Sequence, residues 1–407
     1  VGAVNKASEI AYYSSNGHSS QGFIKPDVVA PGGSFASSGS SAIHQPIIAG
    51  DSNDADEAYS YNTDTGYPPR TDYYSNNYRG FQGTSMASPF VAGLVQLIVD
   101  AMIQEEGSYT YSWDRAKKIK QIICMSASEV YNIEGGISTG GETYDGDGDA
   151  TPQLPSLNRN SRDYVEGWGV VSVEGAIQSV IRWLSVGVTE VISLSGRQYG
   201  THTAVRQINL EANKIYSMYG NFTVGVFTDA DLFIMFSDPT VYGHPVIIAE
   251  CVLGIVNQES TIFSVPTDDT YYLVVKWVDG IYDGSCSVKI SEVVTLTSHS
   301  NGDTVWSGTQ LDFSVDTTYI NLVEYAVDAS ALALFDPPYQ ITIPGPDGTH
   351  SVTIRAQNRL GTIAQIVFSF TVDDTDKPKR TDFSTVGIII TAVVSMSFLL
   401  ARKKKKS

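Results

Sequence analysis

The chain has little positive charge for its size. Its 407 residues include 26 lysines and arginines against 44 aspartates and glutamates, which gives a formal net charge of -18 at pH 7. This acidity argues against a nucleic-acid partner and favours an exterior that faces a salty or calcium-bearing medium. Because 42% of the residues are hydrophobic, the sequence has material for several domains, each with its own core.

Cysteine is scarce as well, with three in the whole chain. Cys124 lies in the helical stretch AKKIKQIICMSA and is predicted to be a packed core thiol. Cys251 and Cys286 fall in one later region. They would form a disulfide in an oxidising compartment or remain thiols elsewhere, and their spacing does not decide between the two.

A seven-residue motif, GTSMASP at 83–89, precedes an apolar stretch that runs to Met102. The stretch predicts a buried helix with Ser85 at its N-terminus, Pro89 in its first turn and Gly93 packed closely against a neighbour. Amides at a helix N-terminus lack intrahelical partners, so a negative oxygen beside Ser85 would be stabilised there. An isolated serine in this place is usually a helix cap, but seven specified residues favour a nucleophile.

GTSMASP is identical to the nucleophile motif of the subtilisin-like serine proteases (peptidase S8 family), which the chain resembles. Three further segments carry the resemblance in order along the chain: VGAVN at 1–5, IKPDVVAPG at 24–32 after a serine-rich loop, and DYVEGWGVVSVEGAIQ at 163–178. The resemblance implies an α/β parallel-sheet subtilisin-like domain over residues 1–181, incomplete at its N-terminus.

The resemblance also implies an activity, the hydrolysis of peptide bonds through an acyl-enzyme on Ser85. Ser85 would be the nucleophile and its amide part of the oxyanion hole, while Thr84 would add a supporting contact. The substrates would be proteins or peptides, and the chemistry would need no cofactor.

A general base for Ser85 is missing from the sequence. In this family the aspartate, the histidine and the oxyanion asparagine precede the serine, and the chain contains no HGTHVAG-like stretch. The histidines before Ser85 are His18 and His44, both interpreted as solvated loop residues. Without a base the hydroxyl is a weak nucleophile, so the chain is expected to be inactive alone.

The start of the chain has neither an initiator methionine nor a signal peptide, and Val1 falls inside what the family makes a central strand. We therefore expect the chain to be the C-terminal portion of a longer precursor. A domain beginning at Val1 would leave the helix after Ser85 exposed.

Two β-sandwiches are predicted after the protease segment. Residues 182–293 show short runs of alternating apolar and polar residues, and TDADLFIMF and DDTYYLVVKW resemble strands of pre-peptidase C-terminal domains. Residues 294–373 resemble a bacterial immunoglobulin-like module. Neither shows a catalytic constellation, and inert spacing is favoured over binding of substrate or surface polymers.

The C-terminal end predicts a membrane anchor. A polar linker at 374–382 leads into 383–401, 19 residues without a charge, and then into a basic tail at 402–407. This length is close to a bilayer span, and positive residues prefer the cytoplasmic side. The protease and both sandwiches are therefore expected outside the cell, on a single transmembrane helix.

One acidic stretch raises the question of a metal. Asp145, Asp147 and Asp149 alternate as in a calcium loop, but Ala150 and Ser156 stand where an EF-hand has glycine and glutamate. A solvated insertion is favoured over a structural calcium site. The alternative function for the whole chain is a membrane-anchored binding or adhesion protein with a degenerate protease domain.

Overall fold

The described part of the chain is discontinuous in its N-terminal half and nearly continuous after it. The computed structural model of the protein describes residues 1–5, 8–11, 13–15, 24–33, 46–50, 78–128, 130, 162, 165–194, 202–223, 229–253, 257–279, 284–375 and 377. These residues fall into two compact units. Unit 1 comprises Val1–Thr295, Asp316–Leu322 and Ala356–Gln365, and unit 2 the remainder, Leu296–Val315, Val323–Arg355 and Ile366–Ser407.

The first part of unit 1 combines two short strand pairs with three helices. Strands β1 (Gly2–Val4) and β2 (Val29–Pro31) pair in parallel, and β3 (Ile47–Gly50) pairs antiparallel with β4 (Tyr78–Phe81). The helices are α1 (Thr84–Glu106), α2 (Trp113–Ser126) and α3 (Val173–Ile181). Within the described residues this part shows one parallel pair rather than an extended parallel sheet.

The serines before α2 and α3 explain where these helices begin. Ser112 accepts a hydrogen bond from the Arg115 amide at 3.1 Å, and Ser172 accepts one from the Gly175 amide at the same distance. Each serine hydroxyl thus satisfies one of the amides that the first helical turn leaves without a partner.

The rest of unit 1 is built mainly from two antiparallel sheets. The first has the order β6-β11-β8-β9, and the second has the order β10-β7-β12 with β5 also paired to β12. The strands are β5 (Thr189–Leu194), β6 (Thr203–Leu210), β7 (Ile215–Thr223), β8 (Asp229–Phe236), β9 (Ile247–Cys251), β10 (Gln258–Ser264), β11 (Asp269–Asp279) and β12 (Gly284–Leu296).

The first of these sheets is buried on both faces. Alternate side chains of a strand point to opposite faces, and in β8 and β11 the two sets join different cores. One set packs between the two sheets and includes Leu232, Ile234, Tyr271, Leu273 and Trp277. The other set packs with the helices, and this shared core contains Leu94, Ile98, Ile122, Met125, Ala176, Val205, Phe233, Met235, Tyr272 and Val274.

This two-sided burial joins residues 182–293 to the helices, while their predicted role as a spacer stays a prediction. The sheet forms one core with α1, α2 and α3, so the sandwich is an integral layer of the unit that carries Ser85. Polar contacts reinforce the packing: Gln121 Nε2 of α2 donates to the Phe236 carbonyl of β8 at 2.7 Å, and the hydroxyls of Ser128 and Thr203 lie 2.8 Å apart.

Helix α1 is less buried than its apolar sequence suggests. Phe90, Leu97 and Ile103 are 41%, 47% and 39% exposed. Among the described residues, no neighbouring atom lies within 4 Å of a Cβ built at Gly93, so none of them makes the close packing expected there. One face remains buried, formed by Ala87, Leu94, Ile98, Ala101 and Met102. The prediction of a buried helix therefore holds for one face of α1 and is wrong for the other.

Unit 2 consists mainly of strands. A five-stranded sheet has the order β13-β19-β18-β15-β16, and β14 pairs antiparallel with β17. In β19, buried and exposed residues alternate along the whole strand, as expected for a sheet with one covered face. The strands are β13 (Thr304–Val305), β14 (Gln310–Val315), β15 (Ile320–Val327), β16 (Ala333–Leu334), β17 (Gln340–Thr342), β18 (Gly348–Asn358) and β19 (Ile363–Val372).

The predicted anchor at 383–401 and the tail at 402–407 lie outside the described residues. Within the described part, α1 is the single helix long and apolar enough to cross a membrane. Core helices meet the same criterion, and α1 packs one face into the core of unit 1, so this is not evidence of a span.

Candidate active site

Ser85 lies at the start of α1, on an exposed turn. The helix begins at Thr84. Gly83 before it has a φ of 144° and a ψ of 162°, a backbone conformation that residues other than glycine rarely adopt. The Gly83 carbonyl accepts the Met86 amide at 2.9 Å, which closes the first helical turn. The motif therefore presents the Ser85 hydroxyl to solvent at the end of a tight turn.

The electrostatics of this helix end favour negative charge. Thr84 and Ser85 are the first two helical residues, so their amides have no acceptor one turn earlier. The first turn of α1 contains no acidic side chain to offset the positive end of the helix dipole. An oxyanion formed beside the Ser85 amide would be stabilised by this arrangement.

Pro89 lies inside α1 rather than in its first turn, which corrects the sequence prediction. Because proline has no amide hydrogen, it cannot donate to the Ser85 carbonyl one turn earlier. Ser88 donates its hydroxyl to the Thr84 carbonyl at 3.1 Å. The supporting role predicted for Thr84 stays a prediction.

The segment Gly32–Gly33, which begins with the last residue of IKPDVVAPG, holds the turn before Ser85. The Gly32 carbonyl, just after β2, accepts the Gly83 amide at 3.0 Å, and the Tyr13 hydroxyl donates to the Gly33 carbonyl. The double glycine after a buried strand was an available signal for this contact. Nothing in the local sequence pattern marks Tyr13.

The four described histidines have partners away from Ser85. His202 contacts Glu174, His244 contacts Arg162, His299 contacts Ser298, and His350 contacts Asp328. His18 and His44 lie outside the described residues. Within the described part of the chain, no hydrogen bond joins a histidine to Ser85.

The predicted metal candidates Asp145, Asp147 and Asp149 also lie outside the described residues. Among the residues that are described, no group of three or more His, Cys, Asp or Glu side chains could hold a metal ion.

Asp27, from the IKPDVVAPG segment, is the centre of a charged cluster. Lys25 Nζ lies 2.6 Å from Asp27 Oδ2, and Lys120 Nζ of α2 lies 3.2 Å from Asp27 Oδ1. Burial by itself would raise the pKa of Asp27, but the hydrogen bond from Lys25 and the charge of Lys120 bring it below its ordinary value.

The same cluster reaches the sandwich through His244, in the connection between β8 and β9. Arg162 Nη1 lies 2.9 Å from His244 Nε2, and since arginine only donates, this ring nitrogen accepts. Burial, together with the charges of Lys120 and Arg162, lowers the pKa of His244 to about 4. His244 is therefore neutral at pH 7 and serves as an acceptor that ties the β8–β9 connection to the helical part.

All three cysteines are described, and each is a buried free thiol. Burial raises the pKa of Cys124 and of Cys251 to about 12, and it raises the pKa of Cys286 as well. These thiols are protonated and unreactive at neutral pH. The prediction of a packed core thiol at Cys124 is confirmed, and the Cys251–Cys286 disulfide is not formed in this structure.

Residues 1–169 match the model of the Subtilase family, Peptidase_S8. The matched range contains GTSMASP and the β2 segment that contacts it, and the match supports a subtilisin-like protease domain in this part of the chain. The comparison with curated proteins finds no match.

The similar solved structures include a pre-peptidase C-terminal domain, the class predicted for residues 182–293. This domain, from the collagenase of Bacillus anthracis, is 19% identical and is matched over 27% of this chain and 92% of its own, with a TM-score of 0.22. The fibronectin(III)-like modules of CbhA from Clostridium thermocellum are 21% identical over 20% of this chain and 94% of theirs, with a TM-score of 0.17.

Dimeric latent PorU from Porphyromonas gingivalis is 10% identical over 48% of this chain and 23% of its own, with a TM-score of 0.19. At such TM-scores, none of these likenesses carries an argument about fold or function.

Proposed function

We propose that this chain is part of a subtilisin-like serine endopeptidase in which Ser85 attacks the peptide carbonyl and forms the acyl-enzyme. The observation that carries the proposal is the exposed Ser85 at the positive end of α1, within a complete GTSMASP motif and a range that matches the Subtilase family. The amide of Ser85 would hold one side of the oxyanion.

The proton acceptor for Ser85 would come from a part of the protein other than residues 1–407. This part of the proposal rests on the absence of an HGTHVAG-like stretch from residues 1–407 and on the partners that the described histidines already have. The catalytic aspartate, the histidine and the oxyanion asparagine would belong to a preceding segment. The substrates would be proteins or peptides, and the reaction needs no cofactor.

A serine-directed fluorophosphonate probe tests the proposal on the full-length protein. The probe reacts with a serine that an assembled site activates, so we expect labelling at Ser85, and we expect S85A to lose both the label and peptide hydrolysis. S88A is the matched control, since Ser88 is also an exposed serine of α1. Ser88 should not take the label, so S88A should be labelled at Ser85 like the wild type.

The outcome also separates the two classes of function. Peptide hydrolysis retained in S85A would contradict the assignment of Ser85 as the nucleophile. A folded full-length protein that neither reacts with the probe nor hydrolyses peptides would favour a surface binding protein with a degenerate protease domain.

We also propose that residues 383–401 anchor the protein in the cell membrane with the protease outside. The support is sequence alone: an uncharged run of 19 residues followed by basic residues at 402–406. Removing residues 383–407 should move the protein from the membrane fraction to the supernatant, and retention in the membrane fraction would contradict the anchor.

A further inference from the structure

A short chain of hydrogen bonds connects Tyr13 to the turn Gly83–Ser85, called the nucleophile turn below. The Tyr13 hydroxyl donates to the carbonyl of Gly33, and the carbonyl of the preceding residue, Gly32, accepts the Gly83 amide at 3.0 Å. Gly83 stands two residues before Ser85 and closes the first turn of α1. Two adjacent carbonyls of one segment are thus held from opposite sides, by Tyr13 and by the nucleophile turn.

Gly32 is packed so closely that a side chain would not fit there. A Cβ added at Gly32 would lie 2.6 Å from Ala3 Cβ, 2.7 Å from the Tyr13 hydroxyl oxygen and 2.9 Å from the Gly83 carbonyl oxygen. Backbone atoms of the nucleophile turn and the Tyr13 hydroxyl therefore meet at a single glycine. A displacement of Gly32 would be passed on to Gly83.

The adjacent Gly33 is confined in the same way by the β3–β4 pair. Its φ is 73°, and a Cβ there would lie 2.7 Å from the Ile47 amide nitrogen and 3.0 Å from the Phe81 carbonyl oxygen. Phe81 ends β4, only two residues before Gly83. The Gly33 carbonyl, which Tyr13 holds, thus belongs to a residue packed directly against the approach to the nucleophile.

Tyr13 itself is fixed by a rigid frame. Its ring packs against the core that α1, α2 and α3 share with the sandwich. The next residue, Ser14, is buried, and its Oγ accepts the Ala3 amide at 3.0 Å, while the Ala11 amide donates to the Ala3 carbonyl at 3.0 Å. The Tyr13 hydroxyl therefore reaches Gly33 from a segment that is hydrogen-bonded to β1.

We infer that Tyr13 is a positioning residue for the nucleophile: its hydroxyl fixes the Gly32–Gly33 backbone, which in turn fixes the turn that aims Ser85. The inference rests on the proposed function of Ser85. Tyr13 does not need to touch the substrate, because a misplacement of about 1 Å at a reacting group costs up to roughly a hundredfold in rate.

The test is the variant Y13F in the full-length protein, which keeps the ring and removes the hydroxyl. Labelling with a fluorophosphonate probe gives two independent quantities, the fraction of protein that reacts and the rate constant of the reacting fraction. We expect the rate constant and kcat to fall about tenfold, part of the loss that misorientation can cause, with the reacting fraction and KM unchanged. Y111F is the matched control, since Tyr111 is 64% exposed, and both quantities should stay at the wild-type value.

Each possible result supports or overturns the inference. A wild-type rate constant in Y13F would overturn it. A smaller reacting fraction at an unchanged rate constant would also overturn it, because that result means that the hydroxyl only stabilises the fold. If the wild-type protein takes no label at Ser85, the proposed function fails and the positioning role of Tyr13 fails with it, a result distinct from a change confined to Y13F.

Discussion

The two sheets of the sandwich in unit 1 differ in how their outer faces are covered. In β12 of the second sheet, half-buried polar residues such as Ser287 and Lys289 alternate with buried Cys286, Val288 and Ile290. In β8 of the first sheet, Leu232, Phe233, Ile234 and Met235 are all buried in sequence. A sandwich domain that follows a protease segment can thus form a structural layer of the same unit.

On the covered face of the first sheet, the side chains contact helices instead of water. On this face, Phe233 and Met235 from β8 and Tyr272 and Val274 from β11 are buried in one core with residues of α1, α2 and α3. This burial contributes favourable transfer free energy to both parts at once. The helices and the sandwich should therefore unfold together, and three predictions test the comparison.

The largest effect is expected at Phe233, which is fully buried on the covered face. We predict that F233A lowers the free energy of unfolding by about 3–5 kcal/mol, because it removes the ring and leaves a cavity between β8 and the helices. K289A, on the outer face of β12, should change it by less than about 0.5 kcal/mol. Urea denaturation followed by fluorescence measures both, and equal effects would show that the two outer faces are alike.

The second prediction concerns pH and His244, where charged groups of the helical part face the β8–β9 connection. These groups are Lys25, Asp27, Lys120 and Arg162. The folded pKa of His244 is about 4 and its ordinary value is 6.5, so the unfolded chain takes up the proton first as the pH falls. The stabilisation from neutral His244 is therefore complete above pH 6.5 and is lost as the pH falls towards 4.

We expect this loss to be about 1–3 kcal/mol. H244Q keeps an acceptor for Arg162 but does not titrate, so its free energy of unfolding should fall less steeply between pH 7 and pH 4.5. Denaturant titrations at the two pH values provide the slopes. Parallel slopes for the wild type and H244Q would contradict the assignment of a neutral, buried His244.

The third prediction compares the removal of two glutamine side chains. Gln121 of α2 is fully buried and donates to the Phe236 carbonyl at 2.7 Å, whereas exposed Gln96 of α1 donates to Asp100 at 2.8 Å. Q121A should cost about 1–3 kcal/mol because a buried carbonyl loses its donor. Q96A should cost about 0.2–0.5 kcal/mol, the value of an exposed pair on a helix. Similar melting temperatures for the two variants would mean that the contact between α2 and β8 contributes little.

Part of this fold was open to prediction because it depends on local pattern. The apolar run after GTSMASP predicts a helix, and the structure begins α1 at Thr84. The strand-rich character of residues 182–293 also follows from short apolar runs between turn residues. The run YYLVVKW in β11 carried a further signal, since a nearly continuous apolar strand is typical of a sheet covered on both faces.

Other features had no local signal. Tyr13 and Gly33 are 20 residues apart, and their contact depends on how the segment before β2 folds back against β1. Cys251 and Cys286 belong to strands of different sheets, β9 and β12, which the sequence spacing could not reveal. The limited burial of α1 likewise depends on which layers surround it, and a helical pattern does not specify them.

Local sequence is enough to specify Ser85, the glycine that its turn requires and the start of the helix behind it, because these depend on residues within one helical turn. Three other features depend on the tertiary structure: the sandwich covers the helices, His244 closes the cluster around Asp27, and Tyr13 supports the nucleophile turn. Such contacts form between segments distant in sequence, where burial and hydrogen-bond geometry select partners that no local pattern encodes.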